Sequence, residues 1–166
     1  MKFQAVLFSI MLIAVLLSHA CGPNKPPPPG GAADKSTITE GVMATSVDND
    51  SKPTSPVKTS FPVDTAAVYC SFKVTGVSPE DMIKASWYYV KGEVKEKENE
   101  LLNETIDIVT TDASSYYLAF YYDKPVAGWY KGSYKVVLSI NGADKLSVPF
   151  NRMNRTLRSC LLASPP

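Results

Sequence analysis

The chain has 166 residues, 45% of them hydrophobic and 20% charged, with 17 basic against 16 acidic side chains, three cysteines and one histidine. Such a length fits about one folded domain and excludes a large enzyme or a membrane-spanning bundle. A net charge of +1 leaves no footprint for a polyanion, so nucleic acid is not an expected partner.

Residues 1–20 read as a signal peptide. Lys2 supplies a short basic start, and the run Ala5 to Leu17 is apolar apart from Ser9. It falls short of the ~20 residues a spanning helix needs and matches the hydrophobic region of an export signal. The junction Leu17-Ser18-His19-Ala20-Cys21 resembles the lipobox of bacterial lipoproteins, with Ser18 standing where leucine is usual. That resemblance implies thioether-linked diacylglycerol and an N-acyl chain such as palmitate on Cys21, hence a membrane anchor, since two acyl chains suffice for stable attachment. Gly22 after the cysteine points, by the same resemblance, to an outer membrane or cell surface rather than the inner membrane. Ser18-His19-Ala20 also fits ordinary signal peptidase, which leaves an unlipidated secreted protein as the alternative.

Residues 21–36 carry Pro26 to Pro29 followed by Gly30-Gly31 and no large apolar side chain, the composition of a tether. Removing Lys2 with the signal would leave basic and acidic residues balanced, so attachment to a surface is expected through lipid rather than charge.

From residue 37 onward period-two alternation dominates. A first strand is expected over Ile38 to Val47, ending in the turn-forming run Asp48 to Pro53. Ala67 to Thr75 places Val68, Cys70, Phe72 and Val74 on one face. The turn Val77 to Asp81 follows, and then Ile83, Ala85, Trp87 and Tyr89 face inward. Lys91 to Asn103 carries mixed charges and reads as a solvated hairpin loop or a single helical turn. Thr105 to Thr111 is expected to turn Ile106 and Ile108 inward, and Ser115 to Tyr122 to put Tyr116, Leu118, Phe120 and Tyr122 on one face. Ser133 to Ile140 does the same with Tyr134, Val136, Leu138 and Ile140, and Asn141-Gly142 is a hairpin turn into Leu146, Val148 and Phe150. About seven short strands joined by Pro, Gly and Asn turns describe an all-β, antiparallel sandwich.

The segments Ala85-Ser86-Trp87-Tyr88-Tyr89-Val90 and Gly128-Trp129-Tyr130-Lys131-Gly132-Ser133-Tyr134-Lys135-Val136, with Asn141-Gly142 after them and Phe61-Pro62-Val63-Asp64 before, resemble Ig-like β-sandwich modules of exported bacterial proteins. The likeness covers residues 37–150 and implies a fold and an extracytoplasmic setting, with no assigned chemistry. Residues 151–166 form a tail outside it.

With Cys21 acylated, Cys70 and Cys160 remain as an even pair in an oxidising compartment. A disulfide between them would close a loop of about 90 residues, stabilising the fold by roughly 4 to 5 kcal/mol before strain. The other reading of Cys70 is a buried free thiol on the apolar face of its strand.

Little in the chain points to catalysis. His19 falls in the signal, so the mature chain lacks an imidazole for a triad, a general base or a zinc site, and no metal or other cofactor is expected. The carboxylates cluster in turns and in the 93–104 loop. Asp48-Asn49-Asp50 has oxygen ligands in alternation, but Lys52 and Pro53 stand where a calcium loop needs another oxygen and a glycine, so a plain turn is expected. Tyr69, Tyr88, Tyr117 and Tyr121 fall on the outward register of three strands. They form either a binding surface for protein or glycan, or cross-strand pairs that stabilise a wet sheet face. The chain is therefore expected to be a non-catalytic binding, adhesion or envelope-scaffold module. A secreted enzyme accessory or carboxylate-based hydrolase domain is the alternative.

Overall fold

A computed structural model describes residues 35–154, and Cys21, Cys160, the expected signal and the expected tether up to residue 34 lie outside them. Eight strands run in chain order: β1 (Thr37–Ala44), β2 (Ser60–Pro62), β3 (Ala67–Thr75), β4 (Met82–Gly92), β5 (Glu100–Ile108), β6 (Ser115–Asp123), β7 (Gly132–Ile140) and β8 (Ala143–Met153). They form a three-stranded sheet, β1-β3-β6, and a five-stranded sheet, β2-β8-β7-β4-β5. The domain is all-β and sandwich-like.

Alternation explains the core. Val68, Cys70, Phe72 and Val74 of β3 are fully buried, as are Ile83, Ala85, Trp87 and Tyr89 of β4 and Tyr134, Val136, Leu138 and Ile140 of β7. Trp87 joins the layers, its ring 5.7 Å from Tyr122 of the smaller sheet and 6.2 Å from Phe150 of its own. Phe150 in turn stacks on Tyr134 at 5.2 Å. Each such side chain contributes about 1.5–3 kcal/mol by leaving water.

Two glycines let the backbones of β4 and β7 meet at one end. Gly132 sits at φ +151°, and a Cβ there would lie 2.3 Å from the Lys91 carbonyl oxygen; one on Gly92 would lie 2.2 Å from that of Lys131. The close approach fixes Tyr89, whose hydroxyl donates to Lys131 O (3.3 Å) and accepts from Val94 N–H (3.1 Å).

Several expectations are corrected. Among the described residues there is an eighth strand, β2, which pairs in parallel with the end of β8, Phe61 opposite Arg152, so the larger sheet is mixed rather than wholly antiparallel. Three residues ending in a proline are too few to show alternation, although Phe61 is fully buried. β8 runs on to Met153, past residue 150. Within Lys91 to Asn103 a 3-10 turn forms at Lys95–Lys97, but β5 already begins at Glu100.

Ile106 and Ile108 face solvent, 53% and 48% exposed, instead of turning inward. The ladder pairs them with Lys84 and Met82, which puts Asp107 opposite buried Ile83 and Thr105 opposite buried Ala85. β5 is the edge of the wider sheet, and its inner residues Asn103 and Thr105 line an open groove with Tyr121, Tyr122 and Asp123. Leu102, near the start of β5, packs against the core, while Asn103 and Thr105 beyond it stay wet and are polar.

The Cys70–Cys160 disulfide is also corrected. Cys70 is a free, buried thiol at 0% exposure, and burial pushes its pKa up to about 12. It lies on the inner face of the central strand of the smaller sheet, in register with Met43 and Phe120. Packed strands on both sides and a second sheet above leave no approach for a bond.

Candidate functional site

β1 begins opposite the end of β3, Thr37 facing Thr75, and its ladder is broken between Thr39 and Val42. Glu40 occupies the break at φ 55°, a left-handed conformation disfavoured for a side chain of its size. The bulge aims its carboxylate across the outer face of the three-stranded sheet. There it accepts a short hydrogen bond from the Tyr117 hydroxyl and pairs with Lys73 Nζ at 3.5 Å. Lys73 and Tyr117 are themselves opposite each other in the β3–β6 ladder.

The hydrogen bond from Tyr117, with Lys73 adding charge attraction, holds the Glu40 carboxyl below its ordinary pKa, and the same bond raises that of the Tyr117 phenol. All three side chains are exposed or half-buried, so the network orders a surface more than it stabilises the fold.

The turn after β1 folds back over this face. Asp48 Oδ1 accepts from the N–H groups of Asp50 (2.9 Å) and Lys52 (2.8 Å), and a bridge between Val47 and Pro53 closes the loop. The Asp48 carboxylate is thus committed to the turn's own backbone. Among the described residues no three His, Cys, Asp or Glu side chains gather as metal ligands. Ser51 O accepts from Ser71 Oγ at 2.6 Å, pinning the turn to β3 and burying Ser71 completely. Lys52 Nζ lies 5.4 Å from the Tyr117 ring centroid. Between turn and sheet opens a polar cleft of about 490 Å3, lined by Asn49, Asp50, Lys52, Lys73, Ser115 and Tyr117.

The four outward tyrosines separate between the layers. Tyr69, Tyr117 and Tyr121 share the outer face of the three-stranded sheet, where Tyr69 and Tyr121 pair across the ladder at 5.6 Å. Tyr88 lies on the five-stranded sheet under Lys135, whose Nζ is 5.1 Å from its ring. Glu40, Lys52 and Lys73 complete the surface and were not foreseen from the sequence. A lone Gly41 inside a strand pattern was the available signal, because it marks a bulge.

A second cavity of about 190 Å3 opens at the end of the sandwich where β7 begins, walled by Leu102, Tyr122, Pro125, Trp129, Tyr130 and Tyr134. Trp129, in the loop ahead of β7, is buried there. Its indole N–H donates to Thr65 O (3.0 Å) and its ring meets Tyr122 and Tyr134 at 5.1 and 5.7 Å. Arg152 stacks on its face at 3.7 Å and donates to Pro62 O (2.8 Å). Burial lowers the guanidinium pKa to about 10. These rings are core side chains seen from their rim, and the cavity extends the hydrophobic core.

No protein family model matches the chain, and no curated protein matches it. Among solved structures it is similar to the Pseudomonas fluorescens alkylpurine DNA glycosylase AlkC bound to DNA containing an abasic site analog, at 12% identity and a TM-score of 0.47. That match covers 74% of this chain and 32% of the other, so the chain spans about a third of the glycosylase's length. A likeness of this size carries no argument about function.

Proposed function

We propose that the protein is an exported lipoprotein, held to a membrane through Cys21, whose Ig-like module binds a polar partner, protein or glycan, without catalysing a reaction on it. The cleft beside Tyr117 carries the binding part of this reading. It joins an aromatic ring, two lysines, a carboxamide and hydroxyls on one face, and the Glu40–Tyr117–Lys73 contacts order it before any ligand arrives. Preorganised polar groups around an aromatic platform give orientation and specificity at low entropic cost. The anchor rests on the apolar run ahead of Cys21 and the proline-rich tether after it. Because the chain enters the sandwich at Thr37, the tether joins a defined end of the module.

Metabolic labelling with radioactive palmitate tests the anchor: wild type is expected to carry label and Cys21→Ala to carry none. Equal label in both, or in neither, refutes it. For the cleft, a Tyr117→Ala, Lys73→Ala double variant of the full chain is expected to lose envelope components that wild type retains in a pull-down. Identical retention refutes the assignment.

A further inference from the structure

Four strands end the two sheets, and three of them are blunted against pairing with another chain. β1 is broken by its bulge at Glu40 and Gly41, β2 has three residues and stops at Pro62, and β5 carries the carboxylates of Glu100, Glu104 and Asp107. Bulges, short length, proline and charge are the usual protections of a sheet edge. β6 has none of them. It pairs with β3 without a register shift from Ser115 to Asp123, contains no proline or lysine, and has its one charge at the last position. Among the described residues no strand lies on its other side.

The direction of its free groups follows from the ladder. Gly76 N–H donates to Ser114 O, and Lys124 N–H to Ala66 O, at the two ends of the β3–β6 pairing. Alternation between these bonds turns the even-numbered residues of β6 toward β3. The N–H and C=O groups of Ser115, Tyr117, Ala119, Tyr121 and Asp123 therefore point to the open edge.

The strand also reads nearly the same in both directions about Ala119. Leu118 balances Phe120, Tyr117 balances Tyr121, and Tyr116 balances Tyr122. In an antiparallel pair of two copies centred on Ala119, each of these residues faces its counterpart, and the facing odd positions are those with free main-chain groups.

We infer that β6 pairs with β6 of a second copy of this chain about a two-fold axis at Ala119. The two small sheets then merge into one six-stranded sheet, β1-β3-β6-β6-β3-β1. Such an interface is self-complementary, as a two-fold requires. It supplies up to about ten main-chain hydrogen bonds, two for each of five facing pairs. Tyr117 meets the partner's Tyr121 on the outer face, an aromatic cross-strand pair of the kind that stabilises sheets. On the outer face the small Ala119 side chains sit together on the axis, and on the inner face Leu118 meets the partner's Phe120. Both copies present their tyrosine clefts on the same side of the merged sheet. The inference stands on the edge geometry alone and does not depend on the anchor or the ligand.

The test is disulfide trapping in the full chain carrying Cys21→Ser and Cys160→Ser, which leaves buried Cys70 as the parent's one cysteine. Facing residues of a hydrogen-bonded pair have Cα atoms about 5.5 Å apart, within bridging range. Ser115 and the partner's Ser115 would lie roughly 27 Å apart, eight residues at about 3.4 Å each. Mild oxidation is expected to convert Ala119→Cys to a species of twice the mass and to leave Ser115→Cys and the parent unlinked. Absence of linkage at 119, or equal linkage at 115, overturns the pairing. Sedimentation gives an independent reading: wild type should run at dimer mass and Ala119→Lys, with unchanged circular dichroism, at half of it. A wild-type monomer at the highest soluble concentration also overturns the inference, including the case in which a strand of another protein occupies β6.

Discussion

Raising the pH from 8 to 10 should cost the fold on the order of 1 kcal/mol through Cys70 alone. In the unfolded chain this thiol ionises near 9.0, whereas in the folded chain burial holds it neutral up to about 12. A group whose folded pKa is raised lends stability that is complete below its unfolded pKa and disappears as pH climbs to its folded value. At pH 10 the unfolded state has released its proton and the folded state has not, and one unit corresponds to about 1.4 kcal/mol. Urea unfolding of wild type and Cys70→Ala at both pH values isolates the effect, because the tyrosines and lysines titrate alike in the two proteins and cancel in the difference. Wild type should lose on the order of 1 kcal/mol more than the variant across this interval. An equal loss refutes the buried thiol, and so does native-state alkylation of Cys70 at its unfolded rate.

Gly132→Ala drives a methyl group against the Lys91 carbonyl and should lower stability by about 2–4 kcal/mol. Gly142→Ala, at φ +83° with open space around it, should cost only about 1 kcal/mol. Equal melting temperatures for the two variants would count against the close approach of β4 and β7. Tyr117→Phe removes the hydrogen bond to Glu40, so the Glu40 carboxyl should titrate at higher pH than in wild type, followed by NMR, with stability little changed because the pair is exposed to solvent. An unmoved Glu40 titration would mean the cleft is not ordered by this contact.

Much of the fold was legible because alternation is a local signal. Ala67 to Thr75 was bounded in the sequence as it is in β3, and the inward residues of β4, β6 and β7 were read correctly. Alternation tells which residues of a strand share a face, but not how much of the opposite sheet covers that face. Ile106 and Ile108 were misplaced for this reason, since their apolar character suggested a core that in fact meets β5 at Leu102 and not at these two positions. The same limit governed the tyrosines. Tyr69, Tyr117 and Tyr121 come together because β3 and β6 are neighbours despite the two strands between them in sequence, whereas Tyr88 lies in the other layer. Cys70 was read both as half of a disulfide and as a core thiol. Cysteine parity favoured the first and the strand pattern the second, and packing on the inner face decided for the pattern.

The interruption of β1 at Glu40 has a mechanical meaning. On the reading proposed above, a chain held at Cys21 and gripped by a partner at the cleft would take tension at Thr37 and along β1, so its hydrogen bonds to β3 would be loaded in shear and share the force. The bulge divides that ladder into two blocks, Thr37 to Thr39 and Val42 to Ala44. The outer block takes the load first, and its rupture stops where regular pairing stops. Releasing it would draw Ile38 out of the core and lengthen the connection by roughly 10 Å at about 3.4 Å per residue, while the second block keeps Met43 packed. The first residues of β1 would then serve as an extensible joint between a fixed surface and a rigid body.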